Sequence, residues 1–260
     1  MISSTPRLAL ITAVALLLAA CSEPAPTGPQ VLIGATLFDS SSRATIDRAV
    51  VIVENDRFKA VGDQPTLPIP PGSQKLDLTG RFLIPTPVEL PSNTKFVHVK
   101  TLAEMQKLLI GGAKVIHGLP LDAATLEAAL LENWKRAEII VFPWLNSLEA
   151  EPHNLKRGRE LAKALFDSGA KVGVSGVGSA HREWKFLSEA GLPAEGIIQA
   201  TTLHAAQAIS ASSSGRIAAG LPADLYVLKC DPRDDIACLV KVERALKNGQ
   251  WVQPPALGEN

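Results

Sequence analysis

"KFVHVKTLAEMQKLLIGGAKVIHGL", residues 95–119, holds a short β-branched run, an amphipathic stretch and a second β-branched run. Thr101 followed by Glu104 is a capping box, a pair that satisfies backbone donors at a helix start. Gly111 stands where such a helix ends. The stretch therefore reads as strand, helix, strand, the unit from which parallel sheets are built.

Outward from it the unit repeats. "KVIHGL" leads into a helix over "DAATLEAALLENWKR" (122–136), "EIIVFPWL" into one over "NLKRGRELAKALFDSG" (154–169), and "KVGVSGVG" into one over "HREWKFLSEAG" (181–191). Gly169 and Gly191 mark two of the helix ends. A spacing of about 30 residues per unit suits βαβ connections. A last helical pair, "PAEGIIQATTLHAAQAI" (193–209), follows. Both flanks are β-rich. "VLIGATLF", the hairpin "AVVIVENDRFKAVG" and "KLDLTGRFLI" precede the units, while "ADLYVLK" and a hairpin turning at Asn248-Gly249 close the chain. Each flank has too few strands to close a core alone, so the two are expected to pair into one β-sandwich.

The first residues are of another kind. Arg7 precedes the uncharged run "LALITAVALLLAA", which has the length of an export signal and is too short for a comfortable membrane span. It ends in "LAAC", which resembles a bacterial lipobox and makes Cys21 the expected lipidation site; an ordinary signal peptide is the alternative. Ser22, by resemblance to the lipoprotein sorting rule, points to the outer membrane. The expected layout is a signal peptide over 1–20, a Pro-rich tether over 21–30, a composite β-sandwich from 31–90 and 215–256, and a β/α unit over 91–214. The mature protein is expected in the periplasm, anchored by lipid. Without Cys21 two cysteines remain, Cys230 and Cys238, bracketing "DPRDDIA". In an oxidising compartment they are expected to form a disulfide, with two buried free thiols as the alternative.

The chain has 260 residues, 46% of them hydrophobic, enough for a sizeable core. A formal net charge of zero and 5% aromatic residues give no case for nucleic-acid binding.

The layout and three stretches resemble the amidohydrolase superfamily, in its imidazolonepropionase-like and prolidase-like branch. "GRFLIPTPVELPSN" (80–93) is similar to the family's run into barrel strand one, G-x-x-x-x-P-G-x-x-D-x-H-x-H. "TTLHAAQAISASSSGRIAAGLPADLYVLKCDP" (201–232) resembles the C-terminal signature G-x-I-x-x-G-x-x-A-D, here Gly215, Ile217, Gly220, Ala223 and Asp224. "RALKNGQWV" is similar to the closing hairpin. The resemblance implies an α/β fold: a metal-bearing β/α barrel, a TIM-type barrel in complete members, with a sandwich from both chain ends. It implies hydrolysis of non-peptide carbon–nitrogen bonds.

Carried over residue by residue, the first-strand H-x-H falls on Pro91 and Asn93, which are poor zinc donors. The acid before the pair falls on Glu89. The strand-five and strand-six histidines fall on His98 and His117. The strand-eight aspartate falls near Val177, where no carboxylate stands, and a bridging lysine has no counterpart. Few residues separate Asn93 from His98, which implies that about half the barrel is deleted and that strands five to eight remain.

Metal-dependent hydrolysis needs a metal-activated water, a base, and for zinc at least three protein ligands. His98, His117 and Glu89 are the candidate metal residues, with His153 and His181 as further third ligands. One zinc on a reduced mononuclear site is one reading. Hydrogen-bonded remnants in a packed sheet are the other, with no cofactor and no assignable catalytic residue. His153 and His204 otherwise read as a loop and a helix-packing residue. Trp134, Trp144, Trp184 and Trp251 read as core or sheet anchors. The functional expectation is a degenerate family member, a pseudoenzyme acting as a binding or partner subunit, as a homodimer or with a full-length amidohydrolase; the alternative is a working metal-dependent hydrolase.

Overall fold

A computed structural model describes residues 28–257, apart from 92, 95, 124, 125 and 176 and the side chains of 177–179. The expected signal peptide, Cys21 and most of the tether lie outside the described residues.

Seven strands come first: β1 (Gln30–Ile33), β2 (Thr36–Asp39), β3 (Ala44–Ile46), β4 (Ala49–Glu54), β5 (Arg57–Asp63), β6 (Gln74–Asp77) and β7 (Phe82–Pro85). Strands and helices then alternate: β8 (Val97–Val99), α1 (Leu102–Ile110), β9 (Val115–Gly118), α2 (Ala128–Arg136), β10 (Ile140–Phe142), α3 (Pro152–Asp167), β11 (Lys171–Val172) and α4 (Val177–Glu189). Helices α5 (Ala194–Gln199) and α6 (Ala205–Ala208) follow, joined through a π-helical turn, Ala200–His204. Strands β12 (Leu225–Leu228), β13 (Val242–Lys247) and β14 (Gln250–Val252) close the chain.

These strands make three sheets. One has the order β5-β4-β1-β6, and another the order β14-β13-β12-β7-β2-β3. The second draws on both chain flanks, since β12 pairs antiparallel with β7. Between the two lie Leu32, Val51, Val53, Phe58, Leu83, Leu225, Val227 and Leu246, all buried. Alternate residues of β4 supply this cluster, while Val50 and Ile52 point the other way, under Leu67 and Ile69 of the β5–β6 loop. At the closing hairpin Asn248 and Gly249 both take positive φ, 47° and 73°, as a tight two-residue turn requires.

The third sheet is parallel, in the order β11-β10-β9-β8. Its strands and helices are those read from the periodicity, and the Thr101–Glu104 capping box forms. Two helix starts differ by four residues or more: α4 begins at Val177, four residues before His181, and α2 begins at Ala128, six residues after Asp122. The Asp122 carboxylate accepts the Leu102 N–H at 2.8 Å and so serves the start of α1 instead of its own helix. Trp134, Leu161, Leu165, Trp184 and Leu187 pack the helices onto the sheet, and Phe38, Ile84 and Leu228 continue this core into the six-stranded sheet.

Cys230 and Cys238 are joined by a disulfide. It ties the end of β12 to a 3-10 turn, Ile236–Val240, that packs against α4.

Candidate functional site

His98 and His117 sit directly opposite each other in the β8–β9 register. Neighbouring parallel strands lie about 4.8 Å apart, so two imidazoles at paired positions on one face must meet. They do: the Nδ1 atoms are 3.1 Å apart. His117 is buried, 5% exposed, while His98 is exposed. Burial, and secondarily the charge of His98, push His117 down to about 4, so it is neutral at pH 7.

Aromatic rings surround the pair. Phe96 stacks on His117 with centroids 4.6 Å apart, and Phe142 meets Phe96 edge-on at 5.6 Å. Trp144 packs 4.4 Å from His117 and 5.4 Å from His98. Phe142 reaches this position because Gly173, just after β11, has no side chain; a Cβ there would lie 2.6 Å from the ring.

Trp144 is held in an unusual way. Its backbone is left-handed, φ 57° and ψ 44°, which for a bulky residue costs roughly 1–2 kcal/mol. It precedes a 3-10 turn, Leu145–Leu148. The N–H of Leu145 donates to Oε1 of Glu183 at 2.9 Å, and that of Asn146 donates to Oε2 at 2.8 Å. Glu183 lies on α4 and is only 4% exposed. Burial lifts its carboxyl to about 7, against the lowering effect of the N–H groups of Asn146, Leu145 and Trp144. The carboxyl thus clamps the loop that carries the indole. Despite the clamp, the Trp144 side of the loop remains open, with the residue 42% exposed.

The indole and the imidazoles face a cavity of about 330 Å³. Leu119, Leu121 and Leu148 line its flanks, and Lys100, Glu151 and Asn154 its polar part. It opens at the C-terminal ends of β8, β9 and β10, the end of parallel strands where β/α proteins place their ligands.

The expected third ligand is elsewhere. Glu89 is exposed on the non-strand stretch after β7, where the Val88 N–H is tied to the Thr201 carbonyl at 2.9 Å. The Glu89 charge is felt by Tyr226 of β12. His153 is exposed in the first turn of α3, and His181 lies on α4. Among the described residues, no three His, Cys, Asp or Glu come together. Val177 opens α4, and its side chain lies outside the described residues. His204 is buried in the π-helical turn, with Nδ1 2.6 Å from the Val172 carbonyl. Burial pushes it down to about 4, so the neutral ring donates Nδ1–H to that carbonyl.

Two site residues were missed from the sequence. Trp144 read as an anchor, as Trp134 and Trp184 are; its place just after a Pro at a strand end was the available signal. Glu183 lies with Ala180, Trp184 and Leu187 on the apolar stripe of α4, and a carboxylate there signals a buried partner.

A model of the amidohydrolase family matches residues 92–252, more than half of the chain. The chain belongs to the amidohydrolase family. No curated protein matches it. Among solved structures, the ochratoxinase of A. niger superposes with a TM-score of 0.71 at 11% identity, over 90% of this chain and 98% of that one. A molinate hydrolase gives 0.70 at 10%, over 87% and 95%. An amidohydrolase from Thermotoga maritima MSB8 gives 0.67 at 13%, over 87% and 100%. At such identities these likenesses establish the fold alone.

Members of the family usually bind metal, often zinc. The His pair offers two donors: at zinc–nitrogen distances of about 2.0–2.1 Å, nitrogens 3.1 Å apart subtend an angle near 100°. A catalytic zinc takes three protein ligands, and the described residues bring no third one to the pair. The residues present do not fit a hydrolytic zinc centre.

Proposed function

We propose that the chain is a catalytically degenerate amidohydrolase, which binds a ligand or a partner chain and does not hydrolyse carbon–nitrogen bonds. The observation that carries this reading is the company of the His pair. His98 and His117 meet each other and three aromatic rings, where a hydrolase needs a third ligand and a base.

The architecture supports it. A parallel sheet of four strands, with the histidines on adjacent ones, fits strands five to eight of a barrel that has lost its first half. Sheets drawing on both flanks fit a composite sandwich over 31–90 and 215–256, with the partial barrel over 91–214. Strand β8 is the last in its sheet. A second copy or a full-length relative pairing along it is the partner this reading calls for, because open strand edges are normally covered. Light scattering on the purified chain would give a dimer or larger species; a stable monomer at all concentrations counts against the partner role. The lipobox at Cys21 rests on the sequence and assigns the protein to the periplasmic face of the outer membrane. Mass spectrometry of the mature protein tests this by finding, or not finding, a diacylglyceryl group on that residue.

The 3.1 Å spacing of the Nδ1 atoms favours a second reading, a hydrolase with one metal on His98 and His117. Zinc content decides between the two. Equal, negligible zinc in the native protein and in a His98→Ala, His117→Ala double variant supports degeneracy. One zinc per native chain, lost in the double variant, overturns it.

A further inference from the structure

We propose that two copies of the chain pair edge to edge through β8, antiparallel and centred on His98, so that their four-stranded parallel sheets become one continuous sheet. The proposal names the partner in the binding role above and rests on it.

The two edges of the sheet are the first reason. At β11 the outward backbone groups are spent within the chain. The Val174 N–H donates to the Ala200 carbonyl at 3.1 Å, and the Val172 carbonyl takes Nδ1 of His204 at 2.6 Å. At the other end, β8 has no further neighbour among the described strands. A strand edge of this kind is a template for another strand unless a lysine, a proline or a bulge blunts it. β8 reads Val97-His98-Val99 and pairs with β9 without a register shift, so it carries none of these.

Symmetry is the second reason, and it selects a second copy as the occupant. A barrel closed from two copies would set β8 of each beside β11 of the other, and the β11 edge is taken. The open edge can instead meet its own counterpart. A twofold axis normal to the sheet then makes the two strands antiparallel, and such a self-complementary contact closes at two copies. The sequence of β8 suits that axis, because Val-His-Val reads the same in both directions. With the axis at His98, each Val97 stands opposite Val99 of the second copy, and His98 stands opposite its counterpart.

The exposed side chains are the third. Val97 and Val99 lie on one face of the strand, yet Val99 is 2% exposed and Val97 is 45% exposed. Ile110, 90% exposed, ends α1, the helix that packs on β8. The β8–α1 unit at the open edge thus holds two large apolar side chains in water. Antiparallel pairing brings directly opposite Cβ atoms to about 4.5–5.5 Å, which gives Val97 the apolar neighbour it lacks. His98 also borders the cleft, so the same axis brings an imidazole of each copy to the rim of the other's cleft.

Light scattering and oxidative trapping of the full chain test the proposal. The native chain is expected to run as a dimer that dissociates on dilution. Val97→Lys, which puts a charge on the edge strand, should weaken the dimer at least tenfold with an unchanged far-ultraviolet circular dichroism spectrum, and Val97→Ile should keep it. Under mild oxidation His98→Cys should give a dimer that only reductant separates, whereas the native chain and Thr45→Cys, on the edge strand β3 of the six-stranded sheet, should give none. A monomer at all concentrations would overturn the pairing and the partner role together. A dimer that survives Val97→Lys and is not trapped by His98→Cys would overturn the pairing alone and leave the partner role to another surface. Zinc content of the native sample judges the degenerate reading separately: one zinc per chain would sink that reading, while the trapping result still decides the pairing.

Discussion

The parallel sheet ends in two different ways. Beyond β11 the π-helical turn takes the place of a neighbouring strand: the Ala200 carbonyl accepts the Val174 N–H at 3.1 Å, and Nδ1 of His204 donates to the Val172 carbonyl at 2.6 Å. At the other end, β8 has no further neighbour among the described strands; His98 lies on it, and the cleft opens across the C-terminal ends of β8, β9 and β10, with Trp144 after β10. Two histidines thus do opposite work. His204 seals an edge by satisfying a buried carbonyl, a structural task. The His98–His117 pair instead joins two strands through its Nδ1 atoms, beside the cleft. The stretch that resembles the C-terminal family signature contains His204 and holds one end of the sheet closed.

This contrast can be broken by substitution. The largest contrast should come from Trp184, buried in the core, and Trp144, exposed at the cleft. Trp184→Ala opens a cavity in the core beside the sealed edge and should cost about 3–5 kcal/mol in denaturant unfolding. Trp144→Gly removes an exposed ring and relieves a left-handed backbone, and should change stability by less than about 1 kcal/mol. Equal costs would erase the distinction between the two sides.

The pH dependence should tilt in opposite directions for two of the buried titrating groups, Glu183 and His204. Glu183 is raised from 4.5 to about 7 in the fold, so the native state favours its protonated form. That contribution is fully present below pH 4.5 and is lost as pH rises through 7. Relative to wild type, Glu183→Gln should therefore gain roughly 3 kcal/mol between those limits. His204 is lowered from 6.5 to about 4, so its contribution is present above 6.5 and is lost as pH falls through 4. His204→Gln, which keeps a donor, should gain on wild type as pH falls over that window. Melting curves from pH 4 to 7.5 for the three proteins show whether the tilts are opposed. Parallel curves would mean that neither group is held as described.

The disulfide supports the sealed side, because its 3-10 turn packs on α4. Replacing Cys230 and Cys238 by Ser should cost about 2–3 kcal/mol, the loop-closure figure for so short a bridge. His204→Ala should cost about 1–3 kcal/mol by leaving the Val172 carbonyl unsatisfied.

Much of this was legible in the sequence. The alternation of short β-branched runs with capped helices yields the four parallel strands. The matched places of "VHV" and "VIHG" at successive strands bring the His pair together, because register in a parallel sheet aligns like positions. Side-chain contacts that depend on loop conformation were not legible. Whether Trp144 packs inward or stands in a cleft turns on one left-handed backbone angle, and that angle turns on a carboxylate 39 residues further on. Asp122 reads as the start of its own helix and instead serves α1, through a contact no local pattern encodes. The grouping of Glu89 with the histidines also fails for a non-local reason, since the chain after β7 is drawn toward the π-helical turn.

The central claim is that His98 and His117 share a proton and do not share a metal. Long-range proton–nitrogen NMR of the histidine side chains, recorded at pH 7.5 before and after one equivalent of zinc, tests it most directly. The account predicts one ring protonated at Nδ1 and its neighbour at Nε2, with both sets of signals unmoved by zinc. Both Nδ1 signals shifting together to metal-bound values, with a third side chain joining them, would contradict it.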